Sequence, residues 1–153
     1  MRKQNGFTLI EVLVTLVIVS LGLLGIVGII ANSLKVNQSA NSRTQASWLA
    51  NDIIDRMRAN RETARITPAA YTINFATCAA IPAAGTVAQT DLNQWCGLVT
   101  AALPAGTGSV AFVTTPGTLV VTATVTVQWN DAARLAAGAV VANSGQVVVE
   151  TQL

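Results

Sequence analysis

Between Phe7 and Ala31 the chain is an almost unbroken apolar run. Apart from glycines, only Thr8, Glu11, Thr15 and Ser20 interrupt it. At about 1.5 Å per residue, some twenty such residues span a hydrocarbon core of ~30 Å. From Asn32 to Ile66 the chain turns polar but contains no glycine or proline. Ala46, Leu49, Ile53 and Met57 recur there at helical spacing, as one buried stripe. Asp52 with Arg56, and Arg58 with Glu62, are i,i+4 pairs on the wet side. Pro68 opposes continuation. The pattern predicts one long helix from about Phe7 to Arg65, oily all round in its first half and amphipathic in its second.

Residues 67–88 are rich in alanine, threonine and proline and read as a surface loop. Thr90 or Asp91 is placed to cap a short helix running to about Leu103. Its apolar face combines Leu92, Trp95, Leu98 or Val99, and Leu103. The period then changes to two. Val121, Ala123, Val125, Val127 and Trp129 alternate with Thr122, Thr124, Thr126, Gln128 and Asn130, the signature of a strand with one dry face. Ser109 to Thr114 is a shorter strand before it, and TTPGT at 114–118 suits a type II turn. Ala139–Ala142 and Gln146–Leu153, joined through Asn143, Ser144 and Gly145, predict a further hairpin. Sequential hairpins make an antiparallel sheet of about four strands, and the Ala46–Met57 stripe can cover its dry face. The predicted class is α+β.

Composition sharpens this division. The 153 residues are 52% hydrophobic and only 10% charged, against about 25% charged in an ordinary soluble domain. Arg2 and Lys3 account for the net charge of +2; from Phe7 onward acids and bases balance. Basic residues ahead of the oily run keep the N-terminus cytoplasmic and place the rest in the periplasm or outside. A secretory signal peptide also begins with basic residues, but its apolar region is about 7–15 residues long. The one candidate cut for such a signal follows Ala31, with Ile29 where a small residue is preferred. A plain signal anchor is a further reading, and neither explains Glu11. Gly22, Gly25 and Gly28 form a smooth stripe that allows close helix approach in lipid, or are simply tolerated there.

Candidate chemistry is sparse. Histidine is absent, which removes the commonest general base and metal ligand. No cofactor or metal spacing is present, and an enzyme is not expected. Asp91 and Asp131 are explained by capping and turn roles. Arg56, Arg58, Arg61 and Arg65 are interleaved with Asp52, Asp55 and Glu62, which favours a solvated ion-pair face over an anionic-ligand site. Cys78 and Cys96 form a natural disulfide pair if the C-terminal part is outside the cytoplasm; otherwise they are two thiols.

The order of features is specific. A short basic leader ends in glycine, then come phenylalanine, an apolar helix with one early glutamate, an amphipathic extension and an antiparallel sheet. Gly6 to Val19, GFTLIEVLVTLVIV, resembles the type IV pilin superfamily. The resemblance implies a leader of residues 1–6, a transmembrane or filament-core helix half at 7–31, an amphipathic half at 32–66 and a periplasmic headgroup at 67–153. It also implies cleavage between Gly6 and Phe7 by prepilin peptidase, N-methylation of Phe7, and a role for Glu11 in assembly and register. Further along, ASWLANDIIDRMRANR (46–61), DLNQWCGLV (91–99), LPAGTGSV (103–110) and VTVQWND (125–131) resemble minor pilins of the type IV pilus modification protein (PilV-like) class. Major pilins usually carry a proline partway along the membrane helix. This chain has glycines there, and its cysteines precede the strands; both departures favour a minor subunit.

The function implied is that of an inner-membrane-anchored subunit that primes or joins the pilus tip complex and supports adhesion and twitching motility. Its expected partners are the prepilin peptidase and methyltransferase, other minor pilins, the major pilin, the inner-membrane assembly platform and, before assembly, lipid. One alternative is a minor pseudopilin of a type II secretion system. Another is an adhesin or DNA-uptake pilin, although the arginines are interleaved with acids and nucleic acid is not an expected partner.

Overall fold

A computed structural model describes residue 6 and residues 8–81, 85–114, 120–131 and 145–153. The chain divides into two compact units, Met1–Asn37 and Gln38–Leu153. Helix α1 is Leu9–Ala59. Its residues in the first unit are exposed throughout, including Leu9, Ile10, Leu16, Leu24, Ile29 and Val36. Two of the polar interruptions are satisfied within the helix. Thr15 donates to the Val12 carbonyl at 2.9 Å, and Ser20 donates to that of Val17 at 2.8 Å. Neither hydroxyl is left needing water, so both are compatible with lipid.

The second unit has a core of its own. From α1 it receives Ala46, Ala50, Ile53, Ile54 and Met57. Leu49 lies at the margin of that stripe, half-buried. The helix ends sooner than the pattern predicts. Asn60 leaves helical geometry at φ −108°, ψ 44°, and a separate helix α2 follows at Arg61–Ile66. The break has a side-chain cause. Asn60 donates to the Tyr71 hydroxyl at 3.1 Å and accepts from Thr63 at 2.9 Å, so its amide is committed to tertiary and turn bonds that compete with the helix. The break also separates Arg58 from Glu62. Arg58 meets Asp55 at 3.0 Å, while Asp52 and Arg56 pair at 3.0 Å as the spacing predicts.

The predicted loop is more ordered than its composition suggests. It contains 3-10 turns at Pro68–Ala70 and Cys78–Ala80, and helix α3 already begins within it, at Val87–Ala102. The cap is Thr86 rather than Thr90 or Asp91. Its side chain accepts from the Gln89 amide, and the Gln89 side chain accepts from the Thr86 amide. This reciprocal box satisfies two donors at the helix start. Asp91 has other partners, described below. Leu92, Trp95, Cys96 and Val99 are the buried face of α3, while Leu98 is exposed.

Three strands form an antiparallel sheet in the order β1-β2-β3: Thr107–Thr114, Val121–Trp129 and Gly145–Gln152. In β2 every predicted dry residue is buried and the intervening residues are half-buried. The sheet has three strands among the described residues, against about four expected. The turn centred on Pro116 and Gly117, and the strand at 139–142 with its connection through Asn143 and Ser144, lie outside them. Gly145 belongs to β3 rather than to a turn. It pairs with Trp129, whose indole occupies the space a side chain at 145 would need. Gly108 receives Trp95 in the same way. The Trp95 indole also donates to the Leu49 carbonyl at 2.8 Å, joining α3 to α1. The result is α+β, a long N-terminal helix packed through its second half against a three-stranded antiparallel sheet.

Candidate processing and assembly segment

Gly6 is exposed, and a β-carbon there would meet nothing within 4 Å. Nothing in the chain's own packing therefore calls for glycine at this position. Thr8 starts the helix. Its carbonyl accepts from Glu11 at 3.1 Å and Val12 at 3.4 Å, and its hydroxyl also accepts from the Glu11 amide at 3.4 Å. Gly6 thus precedes the first helical turn. Phe7 lies outside the described residues. Glu11 occupies the first turn of α1, where a carboxylate is favoured by the helix dipole. It is exposed, and it is the sole charged residue between Lys3 and Lys35. Gly22, Gly25 and Gly28 also border open space. The helix contains a stretch long and apolar enough to cross a membrane, with none of it buried.

The other candidate residues lie in the second unit. Cys78 and Cys96 are joined by a disulfide, with Cα atoms 5.5 Å apart and a sequence separation of 18. It ties the 3-10 turn at Cys78–Ala80 to α3. A cross-link closing a loop of this length contributes about 3 kcal/mol in the chain-entropy model. Replacing both cysteines by serine in the full chain is expected to lower the unfolding free energy by about that amount, read from denaturant midpoints with and without reductant. Reductant should shift the native chain and leave the double variant unmoved.

The arginine cluster is divided among distinct contacts. Arg56 bonds Asp52, reaches Asp91 at 3.6 Å and donates to Gln94 at 2.9 Å. Arg58 donates to Asp55 and to Thr151 at 3.0 Å. Asp91 also accepts from the Tyr71 hydroxyl. Asp131, buried at the end of β2, accepts from Ser39 at 2.7 Å. The two aspartates therefore serve separate contacts, and neither is a helix cap. The sequence pattern did not signal the Tyr71–Asp91 bond, because it joins residues from a loop and a helix. The Thr86-x-x-Gln89 box was readable from spacing alone.

Tyr71 is fully buried, and its pKa is pushed up to about 12. Burial is the main cause, the hydrogen bond to Asp91 acts in the same direction, and Asn60 and Arg56 oppose. Folding thus favours the neutral phenol. Its contribution is complete below pH 10, the unfolded value, and is lost as pH rises to about 12. Stability should fall by on the order of 2 kcal/mol across that window. In Tyr71→Phe this component of the decline should be missing from alkaline unfolding curves; an unchanged decline would assign it to other groups.

Residues 1–27 match the family model for the prokaryotic N-terminal methylation motif. No curated protein and no solved structure matches the chain. The motif is the processing signal of prepilin peptidase. Together with the long apolar helix and the antiparallel sheet, it supports a type IV pilin-like protein.

Proposed function

We propose that this type IV pilin-like chain is a minor pilin of a type IV pilus. It is held in the inner membrane by one helix, with its C-terminal part in the periplasm, and later primes the fibre or is incorporated near its tip. The observation that carries the reading is the contrast within the chain. Gln38–Leu153 packs a core of its own, while the apolar residues from Leu9 to Val36 are all exposed. Water does not tolerate such a surface. Lipid can cover it before assembly, and other subunits can cover it afterwards.

In this reading residues 1–6 are a leader, cut after Gly6. Phe7 then carries the new amine and is methylated. Glu11 of one subunit faces the amine of another in a water-poor fibre interior. Paired charges are tolerated there and unpaired ones are penalised, so the pairing selects axial register. Adhesion and twitching follow from a place in the fibre, as do contacts with other minor pilins, the major pilin and the assembly platform. The methylation motif and the exposed apolar helix support this account, and the departures from major pilins support the minor role.

The test is fractionation of cells expressing an epitope-tagged full chain. The account predicts the mature chain in sheared surface fibres at a small fraction of the major subunit. Recovery only with secretion-system components, and none in sheared fibres, would overturn it.

A further inference from the structure

We propose that Trp48 is a docking knob for the apolar half of a neighbouring pilin-type subunit's N-terminal helix. The proposal rests on the fibre reading above and adds a residue and a partner surface to it. Within Gln38–Leu153, α1 directs Ala46, Ala50, Ile53 and Met57 into the core. Trp48 follows Ala46 by two positions, roughly 200° around a helix of 3.6 residues per turn. It therefore faces directly away from that core. Trp48 is 70% exposed and is the one exposed large hydrophobic residue between Gln38 and Ala59. Trp95 and Trp129, by contrast, are 0% and 1% exposed. Tryptophan is enriched among residues that dominate binding energy at interfaces.

The surroundings favour an apolar partner. Thr44, Ser47 and Asn51 flank the indole at i−4, i−1 and i+3. Each turns a donor back onto its own helix: Thr44 to Ala40 at 3.1 Å, Ser47 to Arg43 at 3.0 Å and Asn51 to Ser47 at 2.8 Å. Asp52 at i+4 and Asp55 at i+7 share that face, but each carboxylate is held at 3.0 Å by its own arginine, Arg56 and Arg58, so the indole is the one large apolar contact the patch offers.

Lipid is a poor occupant. Asn32, Ser33, Lys35, Asn37 and Arg43 lie between the oily run and Trp48, and a stretch so polar does not enter hydrocarbon. The chain itself displays the better one. Its helix is uncharged from Val12 to Ala31 and wholly exposed there. When such a helix leaves the bilayer for a fibre, its apolar surface must be covered again by protein. The outward faces of adjacent helices are the available cover, and Trp48 is the large apolar group this chain contributes from Gln38–Ala59. An indole against that surface buries area without leaving a charge unpaired.

The test uses the full chain in fibre-producing cells, with a photo-crosslinking amino acid at position 48. Irradiated, sheared fibres are expected to yield one product that maps to the first twenty-five or so residues of a mature pilin-type chain, the length of an apolar membrane-spanning segment. Trp48→Ala is expected to lower incorporation about tenfold, as for a strong interface anchor, with leader removal and thermal midpoint unchanged because the indole is exposed in the free subunit. A crosslink only to a headgroup or to lipid, or wild-type incorporation of Trp48→Ala, would overturn the proposal while leaving the fibre reading intact. Absence of the wild-type chain from fibres would sink both.

Discussion

Replacing Gly6 with valine is expected to leave the precursor uncut. Cleavage should fall at least tenfold, a rise of about 1.4 kcal/mol or more in the activation barrier. Free Gly6 borders only open space, so valine costs the folded chain nothing. The effect must then arise in the complex with the peptidase. There a residue without a β-carbon allows close backbone approach and dihedral angles that branched residues resist. The unfolding midpoint should be unchanged, which separates a processing defect from a folding defect. The readout is a slower-migrating band in membranes that contain prepilin peptidase. Normal maturation of Gly6→Val would remove the basis for the leader assignment.

Glu11→Ala is expected to act later. Removing the carboxylate cannot hinder entry into lipid, where an acid costs about 2.5–3.5 kcal/mol at the bilayer centre and less near its edge. Insertion and leader removal should therefore proceed as in the wild type. Assembly should not. Deleting one member of a buried ion pair typically costs about 3–5 kcal/mol, because the other charge is left unpaired. Incorporation into sheared fibres should fall by two orders of magnitude or more at that cost. Glu11→Gln, which retains the shape and loses the charge, should fail similarly. If Glu11→Gln is incorporated normally, pairing is not what the acid supplies.

The sequence exposed those parts of the fold that depend on local periodicity. Val121 to Trp129 alternates strictly, and each apolar residue enters the core. The helix stripe at Ala46 to Met57 was equally plain, because 3.6-residue spacing is a property of the segment itself. The break at Asn60 was not, since no glycine or proline marks it. Its cause is Tyr71, which reaches the asparagine amide from a different part of the chain. The early start of α3 was concealed by the alanine- and threonine-rich composition before it, although Thr86 and Gln89 carried the spacing of a capping box. Gly145 reads as a turn residue, yet the Trp129 ring explains it. That contact follows from strand pairing, which no local pattern encodes.

The processing segment was legible for a related reason. A methylation motif is a short contiguous signal, and the stretch from Gly6 to Val19 that resembles it lies within the matched residues 1–27. Trp48 was less visible. It lies within a helical stretch whose stripe is marked by small alanines, and the burial of Ala46 and Ala50 makes its outward direction plain.

The most direct measurement is the mass of the N-terminal peptide from the full chain isolated from cells containing prepilin peptidase. The account predicts loss of residues 1–6 and a peptide that begins at Phe7 with one added methyl group on its amine. A chain that still begins at Met1, or one cut after Ala31, would contradict it.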